Sequence, residues 1–287
     1  MRQIIILYRT KVQIHNIHPN YCRKNRMNQN MKIISKEVDM KKWSIGKVIE
    51  NRSWNNLLFS LKIRANIDAF TAGQFTKLAL FFGKNFIQKP YSYVNPPASK
   101  DLEFYIVNTK STGLSAKLSN LKDGDLIYVE KRSMGNLTLK EVPECKILWM
   151  LSTGTAVGPF LSILQSTIGL ERFKKIILVH SVRYEEDLNY LSLMRNLEKR
   201  SAGRLMVRTV VSREKVKHSL YGRIPYLIKN GNLEDSTETK IHQKDSHIMI
   251  CGNPEMIRDT IEILEKEKGI KRYSTDKKRN ITFERYW

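Results

Sequence analysis

The spacing of apolar residues changes once along the chain, near Pro143, and this change limits the chain to a fold with two different halves. Before Pro143, apolar residues alternate with polar ones in short runs at 43–49, 57–63, 74–80, 91–94, 102–107 and 125–130. Several short strands at this spacing are typical of an antiparallel barrel or sandwich. Leu114, Leu118 and Leu121 recur at helical spacing after Gly113, which predicts one short helix inside this otherwise all-β half.

After Pro143 the pattern is that of alternating strands and helices. Near-continuous apolar strands start close to Ile147, Ile176, Leu205 and Ile248. Between them lie amphipathic segments, such as the i, i+3 stripe of Leu188, Leu191, Met194 and Leu197. Buried strands that alternate with helices predict a doubly wound parallel sheet. We therefore expect an antiparallel β-barrel domain over 40–140, followed by an α/β domain over 141–287.

Residues 1–39 show no convincing period and carry more cations than anions. Their apolar run at 4–8 is too short for the core of a signal peptide, which needs about 7–15 residues. A transit peptide would be richer in serine, and Ser35 is the only serine here. We expect a disordered or non-native extension, with the foldable sequence beginning at Met40.

The composition excludes several classes of protein. With 41% hydrophobic residues and three widely spaced cysteines, Cys22, Cys145 and Cys251, the chain is neither disordered nor a disulfide scaffold. The cysteines form no metal-binding or iron–sulfur cluster, and they favour a reducing compartment such as the cytoplasm. No apolar stretch approaches the roughly 18 residues of a membrane span.

The net charge of +22 indicates attraction to acidic partners, which include nucleic acid, anionic lipid and acidic proteins. The cations are dispersed, and no basic helix, finger or knuckle pattern accompanies them, so we do not expect nucleic-acid binding. Lysine, isoleucine and asparagine are all abundant, as AT-rich codons favour, so compositional drift is a second explanation of the charge.

The residues after the predicted parallel strands are where a doubly wound sheet binds ligands. The first strand leads into a Gly-containing turn, 152–159, and the fourth into Cys251-Gly252-Asn253-Pro254. Such turns bring backbone N–H groups close to an anion, although a tight turn without a ligand has the same sequence pattern. Arg183, Arg213 and Arg223 follow strands and have the guanidinium forks that match phosphate, although each taken alone is more typical of a surface arginine.

Taken together, the motifs are specific for one family. The carrying segments are Phe70-Thr71-Ala72-Gly73-Gln74-Phe75, Lys89-Pro90-Tyr91-Ser92-Tyr93-Val94-Asn95, Leu102-Glu103-Phe104-Tyr105, Gly154-Thr155-Ala156-Val157-Gly158-Pro159, Cys251-Gly252-Asn253-Pro254 and Tyr286-Trp287. From Met40 onward the chain resembles the bacterial ferredoxin/flavodoxin–NADP⁺ reductases. The resemblance implies an FAD-binding barrel, an NADP-binding α/β domain, and electron transfer between NADPH and flavodoxin or ferredoxin.

The resemblance also assigns the FAD site. It consists of Lys89, Pro90, Tyr91, Ser92, Tyr105, Leu114, Ser115, Thr155, Tyr286 and Trp287. Lys89 stands where the family has an arginine, so the charge is kept but the bidentate fork is lost, and we expect weaker FAD retention. The glycine before Leu114 and Ser115 is one residue later than in the family.

For NADP(H), the resemblance assigns Thr155, Arg183, Ser212, Arg213, Arg223, Cys251, Gly252 and Asn253. Ser92, Tyr91 and Cys251 are the predicted catalytic residues, with Ser92 beside the flavin and Cys251 in the nicotinamide pocket. The implied partners are acidic redox proteins, flavodoxin or ferredoxin, and we expect a monomer. The alternatives are a reductase component serving an oxygenase or free flavin and, in a different class, a basic nucleic-acid-binding protein or a reductase that keeps only a binding role.

Overall fold

The computed structural model describes residues 39, 41–108, 113–270 and 280–286. The expectations for the N-terminal extension therefore lie outside the described residues, as does the prediction for Trp287. From Lys42 onward the chain forms one compact unit. Within the described parts of the chain, no helix is both long and apolar enough to cross a membrane.

The first half of this unit is an antiparallel six-stranded sheet. Its strands are β1 (Trp43–Ser53), β2 (Leu58–Arg64), β3 (Phe75–Phe82), β4 (Asn85–Ser92), β5 (Leu102–Val107) and β6 (Leu126–Glu130), in the order β4-β3-β6-β1-β2-β5. A bridge between Tyr93 and Phe104 brings the two edges of the sheet together, so that the sheet curves into a barrel. Helix α1 (Leu114–Leu118) contributes Leu114 and Leu118 to the barrel core, where both are fully buried.

The second half is a six-stranded sheet in which every pairing is parallel. It contains β7 (Ile147–Thr153), β8 (Lys175–Val182), β9 (Leu205–Val211), β10 (Leu220–Tyr221), β11 (Ser246–Gly252) and β12 (Ile281–Arg285), in the order β10-β9-β8-β7-β11-β12. Its helices are α2 (Gly158–Ser166), α3 (Leu191–Arg200), α4 (Ile224–Lys229), α5 (Asn232–Thr237) and α6 (Pro254–Lys268). The predicted fold class, an antiparallel barrel followed by a doubly wound parallel sheet, is confirmed.

The two faces of the parallel sheet are buried in different cores because successive strand residues point to opposite sides. Leu148 and Met150 of β7 pack with α2, α3 and residues of the barrel, whereas Trp149 and Leu151 pack with α4 and α6. The barrel therefore shares one continuous apolar core with one face of the sheet. This shared core places the carboxyl ends of the parallel strands next to the barrel.

Four elements differ from the sequence-based expectation. The strand expected at 91–94 runs instead over Asn85–Ser92, as the second arm of a hairpin with β3. Its exposed Gln88, Lys89 and Pro90 conceal the alternation that predicts a strand. The helix expected to include Leu188 begins at Leu191, because the chain first turns through a short 3₁₀ helix at Glu185–Asp187. Strands β10 and β12 were not expected at all.

Candidate functional site

The sheet order creates a crevice between β7 and β11. The chain builds the sheet outward from β7 to β10 and then returns to the other side of β7 with β11, so these neighbours lie at the point where the order reverses. Ligands of open α/β sheets bind outside the carboxyl ends of the strands at such a point. The two turns predicted from sequence, with Gly154 after β7 and Gly252 at the end of β11, therefore flank one crevice.

Gly252 is required by the closeness of these two turns. It has φ +139°, and a Cβ built there would lie 2.0 Å from Thr153 Oγ1. The Thr153 hydroxyl also accepts the backbone N–H of Asn253 at 3.0 Å, which joins the ends of β7 and β11. The Asn253 side chain then caps α6 by accepting the backbone N–H groups of Glu255 and Met256.

Gly154 opens the other side of the crevice. It has φ +55°, and a Cβ at this position would meet nothing within 4 Å, so the turn faces open space. Its carbonyl lies 3.1 Å from Nε2 of the buried His180. Burial lowers the pKa of His180 to about 4, so the ring is neutral at pH 7 and its Nε2–H can donate to this carbonyl. Thr155, predicted to contact both cofactors, is buried just behind the turn.

The three predicted arginines lie along one edge, after three adjacent strands. Arg183 follows β8, Arg213 follows β9 and Arg223 follows β10. The Arg213 N–H donates to the Arg183 carbonyl at 3.0 Å, and Ser212 contacts the end of β8 through its N–H and hydroxyl. All three arginine side chains are exposed, and none forms an ion pair with a carboxylate of the described residues. They are thus available to a phosphate.

On the barrel side, Ser92 is the residue that reaches the crevice. Ser92 ends β4 and is buried, whereas the ring of Tyr91 is half-buried and Lys89 and Pro90 are exposed along the same strand. The Tyr286 hydroxyl lies beside Ser92. The Tyr286 N–H in turn donates to the Gly252 carbonyl at 3.0 Å. Tyr286 therefore connects the barrel motif directly to the end of β11.

Sequence reasoning missed Glu284, which lies beside Cys251. The two residues are paired in register between β12 and β11, and the Cys251 thiol is fully buried. Burial raises the pKa of the Glu284 carboxyl to about 7. Burial, and secondarily the nearby Glu284 charge, raises the pKa of the Cys251 thiol. The available signal was the alternating run 281–285 before Tyr286, which is typical of a short strand with one acidic residue.

Some predicted FAD residues are not part of this cluster. The Tyr105 ring packs edge-on against Tyr190, with centroids 5.0 Å apart, at the contact between the barrel and α3. The Leu114 side chain is fully buried in the barrel core, and Ser115 is buried beside it at the start of α1. Both residues belong to the first turn of α1. Among the described residues, no group of His, Cys, Asp and Glu could hold a metal ion.

The arrangement fits a flavin on the barrel side and a phosphorylated dinucleotide on the sheet side. Gly154 offers a turn that faces open space, and three exposed arginines follow adjacent strands along one edge. Ser92, Cys251 and Tyr286 bring hydroxyl and thiol groups to the junction between the two sides. This junction is the part of the site that the barrel and the sheet build jointly.

Comparison with known proteins gives the same picture. Residues 150–262 match the family model of the oxidoreductase NAD-binding domain. The chain is 47% identical to flavodoxin/ferredoxin–NADP reductases of Buchnera aphidicola and of Escherichia coli, with 86% of this chain and the full length of each relative covered. A crystal structure of a ferredoxin NADP⁺ reductase from Neisseria gonorrhoeae with bound FAD and NADP has a TM-score of 0.81 at 32% identity, covering 86% of this chain and 99% of that one.

Proposed function

The chain belongs to the flavodoxin/ferredoxin–NADP reductase family, and we propose that FAD and NADPH meet in the crevice formed by Ser92, Tyr286 and Gly252. The protein is an FAD-dependent oxidoreductase that transfers electrons between NADPH and flavodoxin or ferredoxin. One observation carries the proposed site. Tyr286 lies beside Ser92 of the barrel and donates its N–H to the Gly252 carbonyl at the strand-order reversal, so the two cofactor sides share one junction.

On the flavin side, we propose that Tyr91 and Ser92 contact the ring system while Lys89 and the backbone at Leu114 and Ser115 meet the phosphates. When bound, the flavin accepts a hydride from NADPH and passes the electrons on one at a time. Ser92 contributes a hydroxyl that lies beside Tyr286. The exposed Lys89 supplies one positive charge but, unlike arginine, no planar pair of donors.

On the dinucleotide side, Arg183, Arg213 and Arg223 are proposed to bind the phosphates, with Ser212 beside them. Their exposure and their common edge support this role. Thr155 and Cys251 line the pocket for the nicotinamide, and the backbone at Gly252 and Asn253 completes it. Since Gly252 carries no side chain, Thr153 can lie directly against the end of β11.

We propose that Glu284 holds a proton near neutral pH at the back of this pocket. Its pKa of about 7 means that the carboxyl is partly protonated under physiological conditions. A protonated Glu284 adds no negative charge beside Cys251, whereas the ionised form places a charge behind the nicotinamide position. The protonation of Glu284 thus adjusts the local field without a direct covalent role.

The electron carriers are proposed to be acidic proteins that dock against this strongly basic chain, whose net charge is +22. The preferred carrier, a monomeric state and a cytoplasmic location are likewise proposals. The free thiols of Cys145 and Cys251 support a reducing compartment.

The direct test is spectroscopic. We expect the purified protein to be yellow, with flavin absorbance that NADPH bleaches anaerobically, and to reduce flavodoxin and ferredoxin with NADPH. Comparing the two carriers at equal concentration identifies the preferred acceptor. A colourless protein that added FAD does not reconstitute would contradict the proposed site.

The dinucleotide side has its own test. Replacing both Arg213 and Arg223 with alanine removes two charge-assisted contacts, each worth about 1.5–3 kcal/mol. We expect the KM for NADPH to rise by at least about tenfold while the KM for NADH changes little, because NADH lacks the 2′-phosphate. Arg258→Ala, which removes an exposed arginine on α6, is the control. Equal increases for both nucleotides would show that these arginines do not recognise the 2′-phosphate.

A further inference from the structure

A chain of hydrogen bonds crosses from the barrel to the parallel-sheet half at Tyr190. The Trp54 indole N–H donates to Ser60 Oγ at 2.6 Å, and Ser60 Oγ lies 2.6 Å from the Tyr190 hydroxyl. The Tyr190 hydroxyl donates to Glu103 Oε1 at 2.7 Å. Because each hydroxyl has a single hydrogen, Ser60 must donate to Tyr190, and the chain runs in one direction toward the Glu103 carboxylate. Ser60 and Tyr190 are both buried.

The segment just before Tyr190 is also bound to the barrel. Asn55 Nδ2 donates to Asp187 Oδ1 at 3.0 Å, and Asn189 Nδ2 donates to the Tyr105 hydroxyl at 2.8 Å. The Trp54 and Tyr190 rings pack with centroids 5.1 Å apart. The stretch 187–190 therefore touches the barrel through both polar and aromatic contacts.

The same stretch begins at the proposed phosphate site. Arg183 lies seven positions before Tyr190, and its carbonyl accepts the Arg213 N–H at 3.0 Å. The Glu185 N–H donates to Glu214 Oε1 at 2.6 Å, which ties the loop after β8 to the loop after β9. Residues 183–190 thus form a short connection between the arginine edge and the barrel wall.

We infer that Tyr190 is a positioning residue that fixes the dinucleotide side relative to the flavin side; the inference rests on the proposed function. A second contact zone lies at α2, where Ser162 Oγ and Gln165 Nε2 donate to the carbonyls of Asn95 and Val94. The zone at residues 187–190 and the zone at α2 are separated, so together with the shared apolar core they hold the angle between the two halves. Tyr190 supplies the hydroxyl that completes the zone at residues 187–190.

A positioning role for Tyr190 predicts that its loss slows flavin reduction by NADPH without weakening nucleotide binding. Arg183, Arg213 and Arg223 all belong to the parallel-sheet half, so loosening Tyr190 leaves the phosphate contacts intact. The alignment of nicotinamide with flavin, in contrast, spans the two halves. Hydride transfer is sensitive to small misplacements, of which about 1 Å can cost about a hundredfold in rate.

The test uses Tyr190→Phe in the full-length, FAD-loaded protein, with rates expressed per bound flavin. We expect anaerobic flavin reduction by saturating NADPH to slow by about tenfold, while the Kd for 2′-phospho-AMP stays within about twofold of wild type. Independently of activity, backbone amides of residues 184–191 are expected to exchange hydrogen faster. Ser60→Ala interrupts the same chain of hydrogen bonds by a smaller change. It replaces Tyr190→Phe in the test if Tyr190→Phe does not retain FAD.

Control variants at three positions test whether the slower reduction is specific to the Tyr190 hydrogen bond. Tyr128→Phe makes the same chemical change on a different face of the barrel and should leave the rate unchanged. Glu103→Gln keeps an acceptor oxygen for the Tyr190 hydroxyl and is expected to stay near the wild-type rate, whereas Glu103→Leu is expected to match Tyr190→Phe. Arg213→Ala is expected to show the reverse behaviour, with weaker 2′-phospho-AMP binding.

A wild-type reduction rate in Tyr190→Phe, or in Ser60→Ala where the first variant loses FAD, would overturn this inference and leave the proposed function standing. So would a slower rate accompanied by an equal loss of 2′-phospho-AMP affinity, because that result would indicate general damage to the sheet half. A wild-type protein whose bound flavin is not reduced by NADPH would overturn the proposed function and this inference together.

Discussion

Glu284 is the residue at which pH acts on the site most directly. Its carboxyl is buried next to Cys251, and burial raises its pKa to about 7, above the ordinary value of 4.5. In the unfolded chain the same carboxyl is exposed and titrates in the ordinary range. Between these two values, the folded state therefore holds more protons than the unfolded state.

The sign of the resulting pH dependence follows from this difference. Stability falls with rising pH wherever the folded state binds more protons, so Glu284 destabilises the fold progressively from about pH 4.5 to about pH 7. We expect Glu284→Gln to flatten the dependence of the melting temperature over this interval, since the amide does not titrate. Thermal unfolding at about pH 5, 6, 7 and 8 measures the effect. Parallel profiles for the two proteins would mean that Glu284 titrates normally.

Lys89 stands where the resemblance to the family implies an arginine. A lysine ammonium offers a point charge, whereas an arginine offers two parallel donors to a phosphate. We expect Lys89→Arg to slow FAD dissociation by about tenfold, corresponding to roughly 1.4 kcal/mol, as measured by the recovery of flavin fluorescence on release. Lys84→Arg, an exposed position in the turn of the same hairpin, is the matched control. FAD release from Lys89→Arg that is as fast as from wild type would contradict the assignment.

The turn between β11 and α6 tolerates little change. Gly252 combines φ +139° with a Cβ position 2.0 Å from Thr153 Oγ1, so an alanine there is strained and also clashes. Gly203 has φ +79° but nothing within 4 Å of its Cβ position, so Gly203→Ala carries backbone strain alone. We expect Gly203→Ala to lower the free energy of unfolding by about 1–2 kcal/mol and Gly252→Ala by at least about 1–3 kcal/mol more. Urea denaturation of both variants makes the comparison, and equal losses would exclude the clash.

Elements with strong local patterns were predictable, and those defined by distant partners were not. Strands β7, β8 and β9 are apolar throughout because both faces are buried, and the sequence alone predicts them. Strand β12 has five residues and exists because Ile281 pairs with Ile248 of β11, a partner far away in the sequence. Strand β10 has only two residues and depends in the same way on β9.

The same distinction between local patterns and distant partners applies to the candidate site. The turns at Gly154 and Gly252 and the arginines after the strands follow from motif and position, so sequence analysis found them. The links that join the halves do not, because each partner is ordinary in its own segment. In the sequence, Ser60 is typical of a polar strand residue and Tyr190 of an aromatic residue beside a helix. Only folding brings their hydroxyl oxygens to within 2.6 Å of each other.

At the scale of the whole molecule, the net charge of +22 acts on the encounter with an electron carrier. Charges of opposite sign on two proteins accelerate their association, and salt weakens this attraction as the Debye length shrinks to about 8 Å at physiological ionic strength. Exposed cations border the proposed crevice on both sides, with Lys89 on the barrel and Arg183 and Arg213 on the sheet. An acidic carrier that docks near the flavin therefore meets a positive rim.

We accordingly expect the second-order rate of flavodoxin reduction, at saturating NADPH, to fall by at least about tenfold between about 50 mM and 500 mM salt. A small uncharged electron acceptor, assayed at the same NADPH concentration, is the control, because its encounter with the protein has no net Coulombic attraction. A decrease confined to flavodoxin assigns the charge a role in docking. If the rates with both acceptors are independent of salt, the cations do not steer the carrier, and the basic composition reflects codon usage.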